Sequence, residues 1–214
     1  MQNTSSAVMQ QRHEPADSLD YFPTPPWATR ALCEWILQND PEGMNRVLEP
    51  ACGEGHMVRP LGEYFKTVEA FDSEDYGAGY PVRDFLSGNC EISIRENAPP
   101  CDWCITNPPF SLAYEFIVQG LRCAERGVAM LVRTAFLEGQ QRYRDLFCYD
   151  PPSDILQFTE RVPMHKGKLT ATGSTATAYC WVVWRKPETT TTRFHWIAPC
   201  RRRLERKSDY TDHP

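Results

Sequence analysis

The chain lacks a long apolar run, an excess of positive charge, a phosphate-loop signature and a second CxxC pair, and each absence removes a class of protein. No stretch approaches the roughly 18 apolar residues of a membrane-spanning helix, so no membrane association is expected. The opening residues, MQNTSSAVMQQRHEPADS, carry no apolar h-region, so no secretory signal is read and a cytoplasmic location is expected. A net charge of -5 argues against a protein that coats nucleic acid by bulk electrostatics. Nine scattered cysteines without a secretory signal do not read as a disulfide framework. The only CxxC, Cys101-Asp102-Trp103-Cys104, falls in a strand-like run whose alternation sends its sulfurs to opposite faces. With no second CxxC to complete a zinc site, the cysteines read as small core residues and no metal is expected.

What is present fits a soluble globular chain: 41% hydrophobic and 24% charged residues over 214 positions, enough to bury a core. Residues 1–18 are polar and read as a mobile tail. The proline-stiffened Asp20-Tyr21-Phe22-Pro23-Thr24-Pro25-Pro26 follows, with Thr24 placed to cap a helix that starts near Pro25 or Pro26. Strands are expected at 46–50, 67–71, 102–106 and 127–132, with helices near 57–64 and 111–125 between them. Two further strands, near 155–162 and 177–185, close the pattern. Strands alternating with helices imply an α/β fold with a mostly parallel sheet, whose ligands lie at the carboxyl ends of the strands. The expected organisation is a tail at 1–18, one domain at 19–186 and a basic extension at 187–214.

The unusual residues gather at those strand ends. Gly53 and Gly55 form a strand-to-helix turn in which the backbone can take positive φ and approach a ligand closely. Glu49 ends the first strand, where a carboxylate can receive a ligand's ammonium group. Asp72 ends the second, 19 residues after Gly53, the offset at which an acid binds ribose hydroxyls in dinucleotide folds. The loop lacks the third glycine of GxGxxG and the GK[ST] of a P-loop, and Glu49 would repel a pyrophosphate. A ligand with a ribose and an ammonium group but no phosphate fits better, and S-adenosylmethionine (SAM) is such a ligand.

Leu48-Glu49-Pro50-Ala51-Cys52-Gly53-Glu54-Gly55 resembles the first SAM-binding motif of the class I methyltransferases, which have a Rossmann-like fold. Together with Asn107-Pro108-Pro109-Phe110 it looks like their amino-methyltransferase branch, above all the N6-adenine DNA methyltransferases, over about residues 20–185. The resemblance implies a mostly parallel sheet with an antiparallel C-terminal hairpin, SAM as cofactor and DNA as partner. It also implies that Tyr21 and Thr24 cover the methionine end of SAM. Ala51, Gly53 and Gly55 line it, and Asp84-Phe85 lies beside its adenine.

The Asn107–Phe110 turn carries its own chemical argument. An exocyclic aromatic amine is a poor nucleophile because its lone pair is spread into the ring. Two fixed acceptors, one for each N–H, favour a pyramidal nitrogen with its lone pair aimed at the methyl group. The Asn107 side-chain oxygen and the Pro108 carbonyl are two such acceptors, and Pro108 and Pro109 stiffen the turn. Phe110 offers a face for stacking a base. A base within a duplex must flip out to reach such a pocket. In the related family Asn first and Phe last favour adenine, although enzymes acting on RNA amines or protein glutamine share the turn, and a non-catalytic SAM-binding or nucleic-acid-binding module is the alternative of another class.

The later segments are less specific. Residues 131–142 resemble a segment of phage and prophage members of the family. Arg133, Arg142 and Arg144 suit either phosphate contacts or a solvated helix face. The loop from Pro163 to Ala178, with His165, Lys166 and Lys168, is placed to enter a groove, while Trp181 and Trp184 read as core. The run 201–207, RRRLERK, reads equally as a phosphate-binding patch or a solvated tail. Only 52 positions separate Gly55 from Asn107, which leaves no room there for a target-recognition domain.

Overall fold

The computed structural model describes residues 20–87, 100–173, 175–187 and 189–211. The tail expected at 1–18 and Cys90 lie outside these residues. The chain opens with α1 (Pro26–Asn39), then β1 (Arg46–Glu49), the single turn α2 (Val58–Leu61), β2 (Thr67–Ala70) and β3 (Cys101–Thr106). After β3 come a 3-10 turn (Phe110–Leu112), α3 (Ala113–Cys123), β4 (Ala124–Arg133) and the short α4 (Gln140–Arg142), which a π segment, Tyr143–Phe147, prolongs. β5 (Asp154–Phe158), β6 (Tyr179–Arg185), β7 (Arg193–Ile197) and α5 (Arg201–Leu204) complete it.

The seven strands form one sheet in the order β2-β1-β3-β4-β6-β5-β7. All neighbours are parallel except β6, which runs against both β4 and β5. The sheet is the expected mostly parallel α/β sheet with one antiparallel hairpin. Side chains alternate across it. On one face Trp103, Ile105, Ala129, Leu131, Trp181 and Val183 pack under Trp27, Leu32 and Ile36 of α1. On the other, Cys104, Val128, Met130, Val132, Cys180 and Val182 pack under Phe116 and Ile117 of α3. Strands covered on both sides read as near-continuous apolar runs, as β4 does. Trp181 and Trp184 are core residues as expected; their indole N–H groups donate to the Ala28 and Asp150 carbonyls.

Four features depart from the sequence reading. First, β7 was not anticipated, so the boundary placed at 186 falls between two strands of one sheet. Second, the basic run is not a free tail. Arg203 pairs with Glu34, Arg206 with Glu63 and Arg201 with Glu205, and the neighbouring Asp209 is buried against Arg30 of α1. Third, Cys101 packs against the same apolar cluster as Cys104, at a register irregularity where two steps along β3, from Cys101 to Trp103, face three along β4, from Ala124 to Gly127. Fourth, Cys123 is disulfide-bonded, whereas the other seven described cysteines are free.

Among the described residues no helix is long and apolar enough to cross a membrane, and no group of three or more His, Cys, Asp or Glu is placed to hold a metal.

Candidate active site

The chain leaves β1 toward β2 on one side and β3 on the other, and a crevice opens outside the carboxyl ends of these strands. It holds a cavity of about 150 Å3. Tyr21, Thr24, Ala51, Asp72, Asp84, Phe85, Asn107 and Pro109 line it, so most of the residues singled out by sequence converge on one space. Glu49, Gly53, Gly55, Pro108 and Phe110 lie behind or beside that wall.

Gly53 and Gly55 have φ of +50° and +83°, the left-handed region that only glycine enters without strain. Their missing side chains have a second use that was not foreseen. A Cβ on Gly53 would strike the Tyr21 ring, and one on Gly55 the Tyr80 ring. The glycines thus seat two tyrosines on the loop. The Asp72 carboxylate accepts the Gly53 N–H at 2.8 Å and the Glu74 N–H at 3.1 Å, which ties the end of β2 to the loop. Tyr76 packs on Tyr21 with ring centroids 4.5 Å apart and also lines the pocket; burial raises its phenol to about 12. Tyr76 and Tyr80 escaped the sequence reading. The signal was two tyrosines flanking the glycines of Gly77-Ala78-Gly79, just beyond the strand-end acid.

Glu49 is fully buried. Its Oε1 accepts the Thr106 hydroxyl at 2.5 Å and the Ala51 N–H at 3.1 Å, while Oε2 has no partner. Burial raises its carboxyl to about 8, opposed by those two hydrogen bonds and reinforced by the nearby Asp72. Thr24 does not cap α1. The helix starts at Pro26 with Pro25 as N-cap and no side-chain cap, because the residue at the cap position is a proline with no side-chain acceptor and Thr24 lies one residue too early. The Thr24 hydroxyl is buried at the pocket wall without a partner.

The N-terminal segment clamps the Asn107–Phe110 turn. The Asn107 Nδ2 donates to the Phe22 carbonyl at 2.8 Å, and the Phe110 N–H donates to the Asp20 carboxylate at 2.6 Å. The first contact fixes the amide, since only its nitrogen can face a carbonyl. Asn107 Oδ1 is left buried with no donor. The Pro108 carbonyl likewise accepts no hydrogen bond among the described residues. Phe22 and Phe110 pack with centroids 5.1 Å apart, and the Arg133 guanidinium lies 4.0 Å from the Phe110 centroid. The loop beginning at Pro163 reaches this place through other residues than His165: Met164 touches Asn107, and the Gly167 N–H donates to the Tyr21 carbonyl at 2.9 Å.

No family model matches the chain, and no curated protein matches it in sequence. Solved structures do match in fold. The modification subunit of a candidate type I restriction enzyme from Vibrio vulnificus YJ016 is 14% identical with a TM-score of 0.54, over 90% of this chain and 50% of its own. A candidate RNA methyltransferase from Pyrococcus horikoshii is 13% identical with a TM-score of 0.59, over 80% of this chain and 89% of its own. A candidate hemolysin from Lactococcus lactis is 11% identical with a TM-score of 0.52, over 81% and 94%. The chain thus spans half the length of the Vibrio subunit and most of the other two. Identities this low speak to architecture alone, and the architecture is the Rossmann-like α/β fold that this chain shares with the Vibrio subunit and with the Pyrococcus protein described as a candidate RNA methyltransferase.

Proposed function

We propose that the chain is a SAM-dependent methyltransferase acting on the N6 amine of adenine in DNA. The observation that carries this reading is Asn107, whose amide is locked by Phe22 with its oxygen buried and unpaired. A buried acceptor without a donor costs about 1–3 kcal/mol, and a substrate N–H entering the site removes that cost. The Pro108 carbonyl is the second open acceptor, so the turn suits a group with two N–H bonds. Hydrogen bonds to both pull the nitrogen lone pair out of the ring plane and aim it. Phe110 stacks the base, and a duplex substrate flips its adenine into the pocket.

The residues around the pocket fit SAM. Glu49 Oε2 is a buried orphan suited to an ammonium group, and the Thr24 hydroxyl is another unpaired atom at the wall. In this reading Asp72 holds ribose hydroxyls, Asp84 and Phe85 flank the adenine, and Ala51, Gly53 and Gly55 form the loop beneath. Tyr21 and Thr24 cover the ligand. When bound, SAM supplies an electrophilic methyl group on a sulfonium. The protein's part is alignment and exclusion of water.

Adenine in RNA is the second reading, favoured by the fold shared with the Pyrococcus protein, which is described as an RNA methyltransferase candidate. Incubation with tritiated SAM and separate DNA, RNA and protein pools distinguishes them. Label in DNA is expected; label only in RNA or in protein glutamine overturns the DNA assignment. SAM binding with no label in any pool overturns the catalytic reading.

A further inference from the structure

Across the Asn107–Phe110 turn from the cofactor pocket lies a second cleft of about 600 Å3. Phe110 and Tyr114 form one wall, and Arg133, Phe136 and Arg142 face them. Two guanidinium groups stack on two phenylalanines here. Arg142 lies 4.8 Å from the Phe136 centroid and is also tethered, its Nε donating to the Phe136 carbonyl at 2.8 Å. Arg133 is different. It is exposed, it ends β4, and among the described residues it has no ion pair with a carboxylate and no hydrogen bond to a carbonyl. Its neighbours are Phe110 at 4.0 Å and Phe22 at 5.8 Å, and its guanidinium donates a hydrogen bond to the Tyr179 phenol oxygen. At 4.0 Å from the centroid the cation lies on a face of Phe110, and a base cannot share that face with it.

We infer that Arg133 is a gate on the substrate side. It holds the stacking face of Phe110 while the cleft is empty, yields that face to the entering base, and pairs with a backbone phosphate once displaced. The inference rests on the nucleic-acid reading above. Base–aromatic stacking outweighs an exposed cation–π contact, so a delivered base wins the face. A guanidinium without an acidic partner then has its charge free for a phosphate. This explains how an arginine beside an aromatic turn serves an acidic protein: one cation is released where the substrate arrives.

The test separates base from phosphate. With the cofactor pocket saturated by sinefungin, the full-length protein is titrated with adenosine and with a 12-nucleotide single strand holding one adenine. Arg133→Ala is expected to tighten adenosine about two- to five-fold, since no cation has to be moved. It is expected to weaken the oligonucleotide and to flatten the slope of log K against log salt by about 0.7, one single-strand phosphate contact. Arg133→Lys should restore the slope. If both ligands weaken together, or the slope is unchanged while wild type methylates nucleic acid, Arg133 is only a wall residue and the gate is refuted. If wild type neither binds nor methylates DNA or RNA, the nucleic-acid reading fails first and takes the gate with it.

Discussion

Replacing Glu49 by Gln is expected to stabilise the protein at alkaline pH and abolish its cofactor binding. In an unfolded chain this carboxyl titrates near 4.5; in the fold, burial moves it to about 8. Between those values the unfolded chain is ionised while the folded one must keep its proton or bury a charge. Rising pH therefore favours unfolding, by about 1.4 kcal/mol per pH unit across the window. Integrated from 4.5 to 8, the loss is at most about 5 kcal/mol. Gln does not titrate, and its oxygen can still accept from Ala51 and Thr106 as Oε1 does. Any offset from its unpaired amide is the same at every pH. Urea unfolding at pH 5, 6, 7 and 8 without cofactor should give a gap between variant and wild type that widens with pH by several kcal/mol in the variant's favour. Calorimetry in buffers of different ionisation enthalpy should also show wild type releasing close to one proton at pH 7 as SAM's ammonium group draws Glu49 into its charged form. The variant should bind no SAM in the same cell. A gap of constant size from pH 5 to pH 8 would refute the argument.

Three further outcomes are expected. Asn107→Ala should lower kcat for tritium transfer by about 10²–10³-fold, as loss of a fixed polar group aimed at the reacting atoms does; undiminished transfer contradicts the role given to its oxygen. Arg30→Ala leaves Asp209 and Glu63 without their shared guanidinium, a loss of about 3–5 kcal/mol, readable as a lower urea midpoint. The same contact holds the Asp209 carboxyl below its ordinary 3.8, so its contribution to wild type is present above that pH and lost as acid protonates it. Gly53→Ala forces a side chain into positive φ and against Tyr21, costing about 1–2 kcal/mol of backbone strain alone. SAM affinity should fall with it; unchanged affinity would mean that Tyr21 does not cover the ligand.

The parts of the site legible in the sequence are those set by local chemistry. Glu49, Asp72 and Asn107 end strands recognisable from apolar runs, and glycines in a strand-to-helix turn announce positive φ. The illegible parts depend on partners far along the chain. Nothing near Arg201–Lys207 indicates that Glu34 and Glu63 will pair with Arg203 and Arg206 from 169 and 143 residues away. Nothing near Asn107 indicates that the Phe22 carbonyl, 85 residues earlier, will choose which way its amide points. β7 was missed because Arg193–Ile197 keeps Phe194 and Trp196 exposed, so it shows no buried face to read.

The sequence by itself determined the alternation of strands and helices and which residues stand at the carboxyl ends of β1, β2 and β3, because hydrophobic period and turn chemistry act over a few residues. Only the tertiary structure decided which polar atoms are satisfied and which are left open. Asn107 Oδ1, Glu49 Oε2 and the Thr24 hydroxyl are unpaired because of what the packed sheet, the N-terminal segment and the glycine loop place around them. Hydrogen-bond satisfaction in a dry interior is a property of the whole surrounding shell, and that shell is assembled only when distant segments meet.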